Sequence, residues 1–364
     1  MSDDFGARLT SWYALHKRDL PWRGISDPYK VWLSEVILQQ TRVVQGLDYY
    51  HRFISEYPDI FRLAGAKEED VLKMWQGLGY YSRAINLLKA ARRIVNEYDG
   101  KFPQTTRELM KIEGVGPYTA AAIASIVYRE AEPVLDGNVF RVLSRILGIS
   151  SPVDSALGRK RFRSAAMALM EGSEPGTFNE AMMEFGALQC IPKNPDCDRC
   201  IFNDRCIAFQ KDAVHQYPVK KSRSKIKDRY LYYFVLVCKV DQVPHYYLRK
   251  RDNKGIWKNL YDFPAEESES PLSPDTLWDR SLLGHILLDQ GATLRQVSPE
   301  MVHQLTHQRL HATFLKMDVD KKIRHPYFNS LHLIPREDME EYPVPRLIDR
   351  YLREQKIIES HGRT

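Results

Sequence analysis

The sequence predicts a two-domain protein, mainly α-helical in its N-terminal part and α+β in a smaller C-terminal part. A chain of 364 residues exceeds one ordinary domain, and each part is long enough to bury its own core. From Phe5 to about Phe209 apolar residues recur at helical spacing, and the breaks between runs are short and rich in Gly, Pro and Asp. Beyond them, Tyr230 to Val240 reads YLYYFVLVCKV, the aromatic and β-branched composition of a strand. With 43% hydrophobic and 27% charged residues the composition is that of a soluble globular protein. A net charge of +6 permits a polyanionic partner without proving one.

The first domain is expected over residues 1–212. Lys211 to Arg229 holds seven Lys or Arg against two Asp, with Pro218 and no helical stripe, so residues 213–229 read as a basic linker. Residues 230–364 form the second domain, with strands at Tyr230 to Val240 and Tyr246 to Arg249 and a helix at Ser281 to Asp289. The chain opens MSDDFGARLT without a signal peptide and contains no long apolar span. A cytoplasmic protein with no membrane partner is therefore expected.

Four of the five cysteines fall within seventeen residues, as Cys190, Cys197, Cys200 and Cys206, spaced C-x6-C-x2-C-x5-C. Four thiolates converging on one point mean a metal, and this spacing suits a cubane [4Fe-4S] cluster better than zinc. Structural zinc prefers two short knuckles, and only one is present. Cys238, in the apolar strand run, reads as a core residue.

Leu109 to Ile123 reads LMKIEGVGPYTAAAI, two helical stretches joined by Gly114-Val115-Gly116. The glycines let the backbone turn sharply and approach a ligand, and amides at the start of the following helix would face an anion such as phosphate. The pair alone would fit a packing corner. The flanking Leu109, Ile112 and Val115 instead fit a helix-hairpin-helix docked on a DNA backbone. Twenty residues after Gly116, Asp136 follows Val134-Leu135 and precedes Gly137. It reads as a cap of the helix from Val139 to Leu147, and the same placement would hold a carboxylate rigid and ionised, as a developing sugar cation requires.

In combination these motifs resemble the endonuclease III superfamily of DNA glycosylases over roughly residues 5 to 212. Lyases of that superfamily carry a catalytic Lys directly after the Gly-Pro of this motif. Tyr118 stands there, so no Schiff base and no built-in strand cutting are expected. The chain is similar instead to adenine DNA glycosylases of the MutY type.

Asp27 to Thr41 is consistent with that. Asp27 is a plausible N-cap with Pro28 at the first helical position, and Tyr29, Trp32, Leu33, Val36 and Ile37 make the buried stripe. Glu35 breaks the apolar run. On the Val31 and Leu38 side of the helix it would be desolvated in a closed pocket, keep its proton near neutral pH and serve as a general acid; on a solvent face it would be an ordinary Glu. The resemblance implies that Glu35 protonates the departing adenine and that Gln40 and Thr41 enter the space the flipped base leaves. It places Trp22 and Arg23, of Leu20-Pro21-Trp22-Arg23, together with Glu180, around the adenine. Tyr118 and Asn138 are expected to orient Asp136 and the attacking water. Leu78, Tyr80 and Arg83, within GLGYYSR, resemble a loop that probes DNA beside the lesion.

The second domain resembles a Nudix fold through its strands and Trp257 to Pro264, but no REx2EE helix follows to hold magnesium. In MutY-type enzymes such a domain recognises 8-oxoguanine through an aromatic-Ser-His segment, which Leu305-Thr306-His307 matches with two changes. His303, His307 and His311 fall at intervals of four; without an added carboxylate they do not read as a metal site.

The function these features imply is hydrolytic removal of adenine from A:8-oxoguanine or A:G mispairs in double-stranded DNA, by a monomer associated with the nucleoid. A pyrimidine glycosylase on the same scaffold is the rival enzyme, against which Glu35, Tyr118 and the extra domain argue. A silent DNA-binding protein is the rival of another class, against which the two carboxylates argue.

Overall fold

A computed structural model describes residues 4–220, 226–252 and 255–359. The chain divides into two units: Met1–Ala66 with Asn86–Ser222, and Lys67–Ile85 with Arg223–Thr364. Helical periodicity shows that a face is buried but not which core buries it. For that reason Lys67–Ile85 reads as part of the helical domain in the sequence, whereas in the structure it groups with the C-terminal residues.

The helices are α1 (Phe5–His16), α2 (Pro28–Leu38), α3 (Val43–Glu56), α4 (Ile60–Ala64), α5 (Glu68–Met74), α6 (Ser82–Tyr98), α7 (Thr106–Leu109), α8 (Pro117–Tyr128), α9 (Gly137–Leu147), α10 (Ala156–Met170), α11 (Pro175–Leu188) and α12 (Ile207–Gln210). Within the first unit α11 is central, packing on α1, α8 and α9. Its Phe178, Ala181, Met182 and Phe185 join Phe5, Leu9 and Trp12 of α1 and Val142 and Leu143 of α9 in one core. Phe202, from the cysteine-rich loop, belongs to the same core, stacked on Phe5 with centroids 4.3 Å apart. That loop is therefore anchored beside the helices that carry the site.

The second unit is built on one mixed sheet. Its strands are β1 (Lys227–Val240), β2 (Val243–Lys250), β3 (Tyr261–Asp262), β4 (Ala265–Ser268), β5 (Thr293–Val297), β6 (Met301–Gln304), β7 (Gln308–Val319) and β8 (Leu331–Pro335). β1 runs parallel to β7 from Lys227↔Gln308 to Cys238↔Val319 and antiparallel to β2. Alternate residues of β1 enter two cores: Leu231, Tyr233 and Val235 on one face, and Tyr232, Phe234, Leu236 and Cys238 on the other. A strand covered on both faces reads as an unbroken apolar run, which is how it reads in the sequence. Leu347, Ile348, Tyr351 and Leu352 of the C-terminal helix Arg346–Glu354 cover the first face, and Leu283, Ile286 and Leu287 of the helix Leu282–Asp289 cover the second.

β1 begins at Lys227, inside the stretch expected to be linker. Its basic residues are accommodated because acidic residues flank the strand: Lys227 pairs with Glu269 at 2.8 Å and Arg229 with Glu267 at 2.6 Å. His311 likewise has carboxylate partners, Glu300 at 2.9 Å and Asp228 at 3.1 Å.

Phe185 is fully buried at the junction of α11 with Trp12 and Phe202. Phe185→Ala should cost about 3–5 kcal/mol of stability, read as a lowered urea midpoint.

Candidate active site

Asp27 caps α2, its Oδ1 accepting from the amides of Tyr29 at 2.9 Å and Lys30 at 3.3 Å, and Pro28 follows at the first position. Seven of the eight residues from Tyr29 to Ile37 that are buried on this helix are apolar or Ser; the eighth is Glu35, 7% exposed. Among the described residues Glu35 Oε2 is buried with no hydrogen-bond partner. Burial pushes the carboxyl up to about 7. The nearby Tyr118 hydroxyl opposes the shift, while the negative charges of Asp136 and Glu180 add to it.

Asp136 caps α9. Its Oδ1 accepts the Val139 amide at 2.7 Å and its Oδ2 accepts Asn138 Nδ2 at 2.8 Å. Burial still raises its pKa, outweighing those donors, so the cap fixes the carboxylate but does not lower its pKa as the sequence suggests. Tyr118, at the start of α8, donates its hydroxyl to Met183 Sδ at 3.5 Å, and burial beside the carboxyls of Glu35 and Asp136 pushes that hydroxyl well up. Asn138 is held in turn by Arg141, whose Nη2 donates to Asn138 Oδ1 at 2.8 Å and to the Gly186 carbonyl at 2.6 Å. Arg141 Nε donates to the Cys190 carbonyl at 2.7 Å, which joins the acidic pair to the cysteine-rich loop.

Beside these groups lies an ion network that spacing could not disclose. Glu184, 1% exposed at its side chain, accepts from Arg18 and Arg23 together. Arg18 donates Nε at 2.9 Å and Nη2 at 2.6 Å, and Arg23 donates Nη1 at 2.9 Å and Nη2 at 2.7 Å. Burial alone would raise the Glu184 pKa; the two guanidiniums reverse that and bring it down to about 2. Arg23 thus has its fork committed to a carboxylate and its plane over Tyr13, rather than wholly open to a base. The Tyr13 hydroxyl donates to Glu180 Oε2 at 3.0 Å, and Trp22 meets Tyr50 edge-on. Asn179, which the sequence does not single out, ties α11 to the approach to Asp136. Its Oδ1 accepts Val134 N at 2.9 Å, and its Nδ2 donates to Ser125 Oγ and the Glu132 carbonyl, each at 2.9 Å.

Gln40 follows α2 with φ 56°, a left-handed conformation uncommon outside Gly and Asn, and lies exposed beside Thr41. In the hairpin between α7 and α8, Gly114 has φ +74°, and a Cβ there would stand 2.8 Å from Asn86 Cβ. Gly116 is the N-cap of α8 and opens on empty space, with no atom within 4 Å of its notional Cβ. Leu109, Ile112 and Val115 are buried and turn the glycine face outward.

Cys190, Cys197, Cys200 and Cys206 line one cavity with Arg145, Phe185 and Asn203. Arg145 Nη1 lies 3.4 Å from Cys190 Sγ and the Phe202 amide 3.4 Å from Cys200 Sγ, donors suited to sulfur bearing negative charge, while Cys206 Sγ donates to the Arg145 carbonyl at 3.4 Å. Among the described residues no three such groups lie close enough to share a single metal ion.

In the second unit, Leu78 is 8% exposed and Tyr80 47% exposed, so Tyr80 rather than Leu78 is presented to solvent. Arg83 lies over the rings of Trp75 and Tyr80, and its Nη2 donates to the Gly79 carbonyl at 3.3 Å, bracing the loop. Leu305, Thr306 and His307 form the turn between β6 and β7, closed by the Leu305 amide on the Gln308 carbonyl at 2.8 Å. Leu305 turns toward the sheet core, which leaves Thr306 and His307 exposed. Tyr80 Oη and Thr306 Oγ1 are hydrogen-bonded at 2.6 Å.

Residues 33–162 match the model of the HhH-GPD superfamily of base excision DNA repair proteins, and residues 232–354 match that of the NUDIX domain. An adenine DNA glycosylase of Buchnera aphidicola (from Schizaphis graminum) is 38% identical over 265 residues, covering 71% of this chain and 74% of the relative. The chain belongs to the adenine DNA glycosylase family. A family member from Rattus norvegicus is 42% identical, with 84% of this chain and 69% of the relative covered. One from Arabidopsis thaliana is 35% identical over 83% of this chain, but the match spans only 55% of that relative's length. Among solved structures, a thermostable thymine-DNA glycosylase aligns with a TM-score of 0.53 and 27% identity, over 57% of this chain and 95% of its own.

Glu184 has a folded-state pKa below the ordinary 4.5, so the stability it contributes is present above that value and is lost as pH falls toward about 2. Glu184→Gln leaves the mostly buried Arg23 guanidinium and the partly exposed Arg18 without their anion. It should cost about 3–5 kcal/mol at neutral pH and flatten the acid limb of a stability-versus-pH curve, measured by urea unfolding.

Proposed function

We propose that the chain is a monofunctional base-excision repair glycosylase that flips adenine out of A:8-oxoguanine or A:G mispairs in duplex DNA and hydrolyses its N-glycosidic bond. The observation that carries this reading is the pair of carboxyls with unlike surroundings: Glu35, buried and unpartnered at Oε2 with a pKa of about 7, and Asp136, half-buried and fixed by Val139 N and Asn138. Two titratable groups whose environments differ in this way divide acid from base or electrostatic roles. The bond to adenine is inaccessible within the base stack, so the nucleotide must be extruded.

Glu35, still protonated near neutral pH, delivers its proton to N7 of the purine and turns it into a leaving group. As the bond breaks, positive charge grows on the sugar. Asp136 faces that charge as a fixed anion, electrostatically or through a transient covalent bond, and water completes the hydrolysis. Tyr118, in the place of an amine, offers no nucleophile for a Schiff base. The product is therefore an intact abasic strand. The exposed glycine face of the hairpin supports phosphate binding, and Gln40 and Thr41 support filling of the vacated stack. The second unit, with Thr306 and His307 at an exposed turn, supports recognition of the base opposite adenine.

The four cysteines fit a [4Fe-4S] cluster. All four line one cavity, and a cubane takes four thiolates around one body, which their spacing with a single short knuckle supplies better than it supplies a structural zinc site. Bound there, the cluster supplies iron–sulfur bonds that staple the Cys190–Cys206 loop and has no redox task in hydrolysis.

Glu35→Gln keeps the shape but cannot give up the proton. Single-turnover adenine release from an A:8-oxoguanine duplex should fall by at least about 10²-fold with binding largely intact, and an equal rate would remove Glu35 from the mechanism. In the natural protein that rate should decline as pH rises through about 7, where Glu35 loses its proton. Purified protein should hold iron and sulfide at about four each per chain. One zinc with no sulfide would overturn the cluster assignment.

A further inference from the structure

The segment Lys67–Ile85 lies in the chain between helices of the first unit, yet it groups with the second unit, and its polar contacts there are specific. At the start of α5, Lys250 Nζ donates to Glu69 Oε1 at 2.7 Å and the Tyr261 hydroxyl donates to the same oxygen at 3.2 Å. Asn259 Nδ2 donates to Glu68 Oε1. These carboxylates sit in the first turn of α5, where acidic residues favour the helix dipole, and the Lys250 hydrogen bond holds the Glu69 pKa below its ordinary value. Further on, Gln76 donates Nε2 to Asp349 Oδ1 at 3.0 Å, and its Oε1 accepts the Val344 amide at 3.4 Å and Lys73 Nζ at 3.2 Å. The Tyr81 hydroxyl donates to the Val344 carbonyl and accepts the Gly77 amide, each at 3.3 Å. Val344 itself is 1% exposed in the sheet core, so these anchors end on a rigid part of the domain.

Between the anchors the loop is internally fixed. Gly77, Gly79 and Tyr80 have φ of 98°, 74° and 48°, and the Gly79 carbonyl accepts from both Trp75 Nε1 and Arg83 Nη2. A loop so constrained transmits the position of its ends to its tip, and its tip is Tyr80, bonded to Thr306.

We propose that Lys67–Ile85 is a positioning element of the opposite-base reader. The C-terminal unit, through Glu69, Gln76 and Tyr81, sets where Tyr80 stands, so that the probing loop and the Thr306–His307 turn act as one device. Glu69, Gln76, Lys250 and Val344 are positioning residues that need not touch DNA. The inference rests on the reading that the second unit senses the base opposite adenine.

The test compares single-turnover adenine release from A:8-oxoguanine and A:G duplexes, full-length protein throughout, with thermal unfolding as a check on folding. Glu69→Lys should lower the ratio of the two rates by about 10-fold while leaving the A:G rate unchanged, and adding Lys250→Glu should restore most of the ratio by re-forming the pair in reverse. Rescue of this kind would not follow from a general loss of stability. Gln76→Leu and Tyr81→Phe, which delete anchors without adding charge, should each lower the ratio about 3–10-fold, and they decide the matter if Glu69→Lys does not fold. Retention of the full ratio by all three single variants, while Thr306→Ala with His307→Ala loses it, would overturn the positioning role and leave the sensing role standing. Retention of the ratio by the Thr306, His307 pair of changes as well would overturn the sensing role and this inference with it.

Discussion

Placing the Glu35 carboxyl inside an apolar helix is unfavourable, because its charged form loses water and gains no full set of donors in return. The group answers by keeping its proton to about pH 7. Everything around it bears on that balance. Negative Asp136 and Glu180 push the proton on, while Tyr118 and Arg23 pull it off. Removing a negative neighbour would release the proton at lower pH, and removing a positive one would hold it longer. The helices around Glu35 are therefore required to hold charges at fixed distances as well as to exclude water, and the packing of α11 against α1, α8 and α9 meets that requirement.

The site is stiffened by buried polar groups that are paired to saturation. Glu184 takes two guanidiniums, Asn179 uses its amide on three partners, and Arg141 spans Asn138, Gly186 and Cys190. Such networks contribute little net stability when complete and are strongly destabilising when one member is removed. Their contribution here is geometric. The Arg141 contacts run from the Asp136 cap to the first cysteine of the cysteine-rich loop, so the placement of Asp136 depends on a loop more than fifty residues downstream. A loop held only by packing would be a poor reference point, and four ligand bonds would make it a good one.

In the second unit the sheet supplies a fixed frame and the chemistry sits at its edge. The middle of β1 is buried on both faces, and Thr306 and His307 lie exposed at the β6–β7 turn. The partner of that turn, Tyr80, comes from a distant stretch of chain drawn in by α5 and Gln76.

Much of this was legible in the residues themselves. The strand run of β1, the Asp27 and Asp136 caps, Gly114 at a left-handed turn and the four cysteines all follow from local rules, in which one residue type meets one backbone or ligand demand. Glu35 also announced itself, because an acidic residue inside an apolar helix is out of place wherever that helix folds. The tertiary structure alone decided the rest. Glu184 looks like any Glu on an amphipathic helix, and only the arrival of Arg18 and Arg23 from more than 160 positions away makes it the anion of a buried network. Which core claims Lys67–Ile85 was equally undetermined, since periodicity records that Val71, Leu72 and Trp75 are buried but not what they are buried against. Local sequence specifies backbone conformation and the chemistry on offer; long-range contacts specify which charges meet, and pKa values and loop positions depend on those meetings.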